Sequence, residues 1–282
     1  MPTRRIKSIE TRIHDHYDSL PESERKLADV ILEAPGNLSA YTATELTARA
    51  GVSKAAGTRL FRRLGFNSFD EARVLARDTR NWGSPLYMDR RQGTVFGGLS
   101  DYIDDEFHLL KSTLRALNPE ELEEIVGQIV GARRIFLAGY RNSQFLATYL
   151  RWQLLQFRGD AYMVQGPGET HGEYIGDLTP NDLFIAFALR RRPAQLEKML
   201  AAVRDREVPI LLITDPTARG LPAHARWTIT CETESSYVLD SCASALSIAR
   251  YLAIHALHRA GRRGRAHLER IERQHESLGD FD

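Results

Sequence analysis

Cysteine is nearly absent from this chain. Its 282 residues hold two, Cys231 and Cys242. Two cysteines make no disulfide framework, and these lack the spacing and the His/Cys neighbours of a metal site. No metal and no cofactor are expected. A reduced, cytoplasmic setting is the simplest reading. Long hydrophobic runs are missing too. No stretch approaches the ~18 apolar residues of a membrane span. The N-terminus "MPTRRIKSIETRIHDHY" has no apolar signal core. A soluble chain with no membrane partner is expected. Net charge is also lacking: the formal value is +1, so the whole-chain balance points to no partner. Internal repeats and low-complexity tracts are absent. What remains is globular in character, 43% hydrophobic and 27% charged. The length allows two ordinary domains.

The hydrophobic period changes once along the chain. In residues 1–80 the apolar positions recur at helical spacing, as in Ile6, Ile9, Ile13, Tyr17 and Leu20. "LPESERKLADVILEAP" predicts a second helix bounded by Pro21 and Pro35. Short helices are predicted over Thr44–Ala50, Lys54–Leu64 and about Ser68–Arg80. Asn81–Gly93 has no period and reads as a linker, here taken as 81–98. A longer amphipathic segment covers about Leu99–Leu117. "NPEELEEIVGQIV" then marks a helix start, with Asn118 as cap and Pro119 in the first turn. Beyond it come short apolar runs: Arg134–Gly139, Ala161–Gln165, Asp182–Leu189, Pro209–Asp215 and Trp227–Glu232. Such runs fit strands buried on both faces. Helical stretches at Asn142–Phe157, Ala194–Arg206 and Tyr237–Ala260 separate most of them. This alternation predicts an α/β domain with a parallel sheet over 99–282. The tail "RAHLERIERQHESL" reads as a polar amphipathic helix.

"TATELTARAGVSKAAGTRLFRRLGF", Thr42–Phe66, has the form of a helix-turn-helix. Gly51 can take φ > 0 without a Cβ clash. Val52 plugs the space between the two helices, and Ser53 caps the second. At 100° per residue, Ala56, Gly57, Leu60, Phe61 and Leu64 share one side of that helix. Lys54, Ala55, Thr58, Arg59 and Arg62 share the other, with Arg63 on the shoulder. An apolar face opposite a basic, hydroxyl-bearing face suits the major groove of DNA. Thr42, Thr44 and Ser53, at the two helix starts, complete the candidate contacts. The basic surplus between residues 49 and 80 supplies a salt-dependent phosphate attraction. The competing readings are a merely solvated basic face, or a scaffold that binds another protein. Gly57 is out of place, since glycine inside a helix costs ~1 kcal/mol against alanine; a close helix approach would account for it.

These residues, "LPESERKLADVIL…ELTARAGVSKAAGTRLFRRLGFNSFDEAR", resemble the helix-turn-helix of RpiR/MurR-type bacterial transcription regulators. In that family the motif precedes a SIS (sugar isomerase) domain that senses a small molecule, often a phosphosugar. The resemblance implies a flavodoxin-like, doubly wound, five-stranded parallel sheet of order 2-1-3-4-5. One short helix buries too little DNA surface for tight specific binding, so a homodimer or homotetramer on a palindromic DNA operator is expected. In such a sheet, ligands bind beyond the strand ends where the order reverses. The loops there are "GYRNS", comprising Gly139, Tyr140, Arg141, Asn142 and Ser143, and "LRRRP", with Arg190, Arg191 and Arg192. Both precede helix starts that favour an anion. SIS domains commonly carry a glycine where Arg141 stands, and a hydroxyl-rich loop where the arginines stand. Arginine binds phosphate or carboxylate through paired N–H groups. The expected effector is therefore a small anionic metabolite, phosphosugar or carboxylate. Pairing with acids at a dimer interface, or simple solvation, are the other roles open to these arginines. Thr214, Asp215, Asp240 and Ser241 are further candidates at the crevice mouth. The rival function is a SIS-type phosphosugar isomerase or lyase, which needs a general acid/base; "GPGETHGEY" offers Glu169 and His171. A DNA-reading domain has no place in such an enzyme, so the chain is read as a regulator.

Overall fold

The computed structural model describes residues 9–33, 38, 41–73, 97–164, 170–218, 220–237 and 239–281. Most of the expected linker, the end of the Ser68–Arg80 helix and Glu169 fall outside them. The chain divides into two compact units, Met1–Phe96 with Tyr237–Leu239, and Gly97–Ser236 with Asp240–Asp282.

The first unit is helical. It contains α1 (Ile9–His16), α2 (Glu22–Glu33), α3 (Ala43–Arg49) and α4 (Lys54–Arg63). Ile9, Ile13, Leu27, Ile31, Leu46, Leu60 and Phe61 form its core. Removing such side chains from water is worth about 1.5–3 kcal/mol each. Two glycines end helices in the same way. Gly51 (φ +65°) follows α3 and Gly65 (φ +80°) follows α4. In each, the next residue's N–H reaches back to the last turn: Val52 N to Thr47 O at 2.9 Å, and Phe66 N to Phe61 O at 2.9 Å. This is the Schellman arrangement, which satisfies otherwise orphaned helix carbonyls. Gly57 allows the close approach: a Cβ there would lie 2.9 Å from Thr47 Cγ2. Arg12 of α1 adds charge at the end of α4, donating to Leu64 O at 2.8 Å.

The second unit is an α/β domain. It runs α5 (Leu99–Arg115), α6 (Pro119–Gly131), β1 (Ile135–Gly139), α7 (Asn142–Leu155), β2 (Ala161–Met163), α8 (His171–Gly176), β3 (Leu183–Ala188), α9 (Gln195–Arg204), β4 (Ile210–Thr214), β5 (Trp227–Thr230) and α10 (Ala243–Leu278). The sheet order is β2-β1-β3-β4-β5, and every pair is parallel. Side-chain alternation divides the strands between two cores. Ile135, Leu137, Ile185, Phe187 and Ile213 face α6, α7 and α10. Phe136, Ala138, Phe184, Ala186 and Leu212 face the other way, toward α9. Both faces are covered, so the strands are continuously apolar rather than alternating. The predicted helix over Tyr237–Ala260 begins later, at Ala243. Its continuation breaks at Gly261 (φ 55°) before the polar tail helix. A short helix, α8, begins within the "GPGETHGEY" stretch.

Candidate functional site

The exposed face of α4 is built from both ends. Ser53 accepts a hydrogen bond from Ala56 N at 3.2 Å and so fixes the start. Ala56, Gly57, Leu60 and Phe61 are buried. Lys54, Ala55, Thr58, Arg59, Arg62 and Arg63 are exposed. The preceding helix is fixed by a capping box: Thr42 Oγ1 accepts from Glu45 N at 3.2 Å, and Thr42 N donates to the Glu45 carboxylate at 2.7 Å. Thr44 is exposed in its first turn.

The arginines of α4 are not equivalent. Glu24 of α2 is buried, and its carboxylate accepts from Arg59 Nε at 3.4 Å and Arg63 Nε at 3.0 Å. Arg62 has no ion pair among the described residues. The sequence reading missed Glu24. Its signal was an acid on the apolar stripe, three, four and seven residues before Leu27, Ala28 and Ile31.

In the α/β domain, Gly139 ends β1 against the first turn of α7. A Cβ at Gly139 would lie 2.2 Å from Ser143 O. Arg141 caps α7 with φ 57° and ψ −126°. That region is costly for any residue with a Cβ, about 1–3 kcal/mol, which explains why glycine is common there. Arg141 and Asn142 are exposed, while Tyr140 is partly covered. Ser143 is buried, and its Oγ accepts from Leu189 N at 3.0 Å. This bond ties the β1 turn to the end of β3.

Arg190, Arg191 and Arg192 do not share an environment. Arg191 is exposed. Arg190 is nearly buried, its side chain 6% exposed, and forms a two-pronged pair with Asp240. Its Nε donates to Asp240 Oδ2 at 2.9 Å. Arg192 donates to Asp215 Oδ2 at 2.5 Å and to Ala188 O at 2.9 Å, and also to Thr217. Asp215 accepts in addition from Arg190 N at 2.7 Å and Thr217 N at 2.9 Å. Burial alone pushes the Asp215 carboxyl up; the Arg192 charge and the Thr217 bonds outweigh it and hold it below the ordinary range. Burial likewise opposes the Arg190 charge, but Asp240, then Glu234 and Asp215, more than offset it. The arginine loop thus meets carboxylates of its own chain.

Two candidate hydroxyls are engaged internally. Thr214 Oγ1 donates to Ala188 O at 2.8 Å. Ser241 Oγ donates to Glu106 Oε2 at 2.7 Å and accepts from Ala243 N at 3.1 Å, at the start of α10. Just after β1, Tyr140 Oη lies 3.0 Å from His171 Nε2. Burial raises the Cys242 thiol above its ordinary value. Burial pushes Cys231 up to about 12, so neither cysteine is an activated nucleophile. Among the described residues, no cluster of His, Cys, Asp and Glu is arranged to hold a metal. None of the described helices is long and apolar enough to cross a membrane.

Comparison with known proteins agrees with this architecture. Residues 7–79 match the helix-turn-helix domain of the rpiR family, and residues 128–255 match the SIS domain. An uncharacterized HTH-type transcriptional regulator from the aarA 3' region of Providencia stuartii is 26% identical over 207 residues, covering 68% of this chain and 69% of its own. The sugar isomerase domain of an RpiR transcription factor from Sphaerobacter thermophilus shares the fold, with a TM-score of 0.57 and 22% identity over 61% of this chain and 96% of that one. The Vibrio vulnificus NanR protein, solved with ManNAc-6P, has a TM-score of 0.59 and 18% identity over 96% of this chain and 99% of its own. With an rpiR-family helix-turn-helix domain followed by a SIS domain, this chain belongs to the RpiR-type family of helix-turn-helix transcription regulators.

Proposed function

We propose that α4 enters the major groove of duplex DNA, and that an anionic metabolite at the β1/β3 crevice controls this binding. The observation that carries the first half is the exposed basic face of α4, opposite a fully buried one. Lys54 and Arg62 lie on its most open side, with Thr58 between them. Arg59 and Arg63, held by Glu24, are better placed for the flanking phosphates than for base edges. Twofold pairing of two such heads on a palindromic operator would give the affinity that one short helix lacks.

The test needs no known operator. Fluorescence anisotropy on a duplex of arbitrary sequence measures the phosphate-driven binding. Arg62→Ala is expected to weaken it and to lower the salt slope by about 0.9 if the contact is to phosphate. On the specific site, loss of a base contact costs ~1–3 kcal/mol. Arg59→Ala is expected to cost less. Unchanged affinity and slope in Arg62→Ala would remove α4 from the DNA interface.

The crevice reading rests on Arg190 and Arg192, in the loop that runs from Leu189, bonded to Ser143 of α7, to the start of α9. Arg141, at the start of α7, holds a positive-φ conformation at a stability cost, as residues in functional loops often do. A sugar phosphate is the ligand class that this geometry and the NanR likeness favour. An effector at a hundred times its Kd stabilises its domain by about 2.7 kcal/mol, so a thermal-shift panel of hexose and hexosamine phosphates will reveal it. Among the described residues, the Tyr140–His171 pair is the feature that favours an isomerase. Turnover of any phosphosugar in the panel, lost in His171→Ala, would support that reading instead.

A further inference from the structure

We infer that Asp240 is an internal competitor for the effector's anionic group, and that its release from Arg190 carries the ligand signal to α5. This rests on the crevice reading above.

Three observations lead there. First, Arg190 is the most buried cation of the loop, and Asp240 holds it by two prongs. An anion that takes the Nε/Nη2 edge of this guanidinium must take the place of that carboxylate, since one edge accepts one planar partner. Second, Asp240 does not belong to the sheet or to a helix. It lies between β5 and α10 and is itself outside regular structure. The fold therefore lets it move without breaking a strand or a helical turn. Third, side-chain hydrogen bonds fasten the stretch between β5 and α10 to α5. Ser236 N donates to Asp105 Oδ2 at 3.0 Å, and Ser236 Oγ to Asp105 Oδ1 at 2.6 Å. Ser241 Oγ donates to Glu106 Oε2 at 2.7 Å. Ser241 N also donates to Thr233 O at 2.9 Å, closing the stretch on itself.

The consequence is a threshold. Asp240 is tethered, so its local concentration at Arg190 is high, of millimolar order for a short flexible connection. A monocarboxylate offers Arg190 nothing that Asp240 does not. A phosphate can do more, because it has further oxygens to offer the α7 N-terminus, whose Ser143 is bonded to Leu189 next to Arg190. Once displaced, Asp240 takes Ser241 with it, and the hydrogen bond to Glu106 is lost or remade. The ligand thus biases α5 through its differential contact with two arrangements of one segment.

The experiment uses the full chain and inorganic phosphate as the probe. Calorimetry compares wild type, Asp240→Asn, Arg190→Gln and the double variant. Asparagine keeps the volume and an acceptor for Arg190 but gives up the competing charge. Asp240→Asn is expected to bind phosphate about tenfold more tightly than wild type, the gain expected when the competent state is freed. Arg190→Gln and the double variant are expected to lose binding. Equal or weaker binding by Asp240→Asn overturns the inference, and so does no detectable binding by it. If Arg190→Gln binds as wild type does, the crevice reading itself fails. A second measurement serves if Asp240→Asn does not fold. In the wild type, saturating phosphate is expected to speed amide hydrogen exchange at Ser236 and Ser241 at least tenfold. Unchanged exchange at both positions under saturation overturns the coupling to α5.

Discussion

Replacing Gly139 by alanine tests the geometry on which the crevice depends. The added Cβ would lie 2.2 Å from Ser143 O, 2.5 Å from Ser143 C and 2.9 Å from Gln144 N. All three atoms are backbone, so no side-chain rotation relieves the contact. The first turn of α7 must withdraw by roughly 1 Å to restore ordinary separation. Overpacking of this kind costs ~1–3 kcal/mol. The withdrawal also pulls Ser143 Oγ from Leu189 N, now 3.0 Å away. A buried amide left unpaired adds about 1–3 kcal/mol. The sum is about 2–6 kcal/mol, all in the α/β domain. Urea unfolding followed by tryptophan fluorescence reads it, since Trp152 and Trp227 lie in that domain. At roughly 2–4 °C per kcal/mol, the melting temperature falls by about 4–24 °C. Gly131→Ala is the control: a Cβ at that position, the end of α6, meets nothing within 4 Å. It is expected to be neutral or stabilising by up to ~1 kcal/mol. If Gly139→Ala and Gly131→Ala unfold at the same urea concentration as wild type, the close approach of β1 to α7 is wrong.

The remaining predictions concern other links in the structure. Arg141→Gly removes a Cβ from a left-handed conformation; it is expected to stabilise the domain by up to about 2 kcal/mol, net of the entropy glycine adds to the unfolded chain, while weakening anion binding in the same calorimetric titration. Gly51→Ala places a Cβ at φ +65° without any steric contact, so its cost is conformational alone, about 1–2 kcal/mol, and an asparagine there should lose less in thermal unfolding. Asp182 is buried and paired with Arg133 and Arg134. Burial raises its pKa, but the two arginines and Thr179 outweigh it and hold the carboxyl well below the ordinary range. A depressed folded pKa means that its stabilisation is present above the unfolded value, ~3.9, and is lost as pH falls through the folded one. Urea titrations between pH 5 and pH 2 should therefore show a loss of stability that is smaller in Asp182→Asn; equal pH dependence in the two proteins would refute the linkage.

Much of this protein was legible because the decisive signals were local. Gly51, Val52 and Ser53 act within one helical turn, so the helix-turn-helix could be placed from adjacent residues. Five apolar runs separated by helices sufficed for a parallel sheet, because a strand buried on both faces needs no partner to reveal itself. The sheet order itself came from family likeness, since the runs alone do not say which strands are neighbours.

What the arginine run faces was decided by tertiary structure alone. Three adjacent arginines read, from the sequence, as a surplus of positive charge awaiting an anion. Folding brings Asp215 to Arg192 from 23 residues away and Asp240 to Arg190 from 50 residues away. It brings Glu24 to Arg59 and Arg63 across 35 and 39 residues. No periodicity or spacing encodes such pairs, because they depend on where the sheet order and a helix crossing return the chain. The sequence by itself determined which residues carry charge and which helix starts they flank. Only the fold determined which of those charges are already answered, because a buried guanidinium is stable only against a partner, and that partner can come from anywhere along the chain.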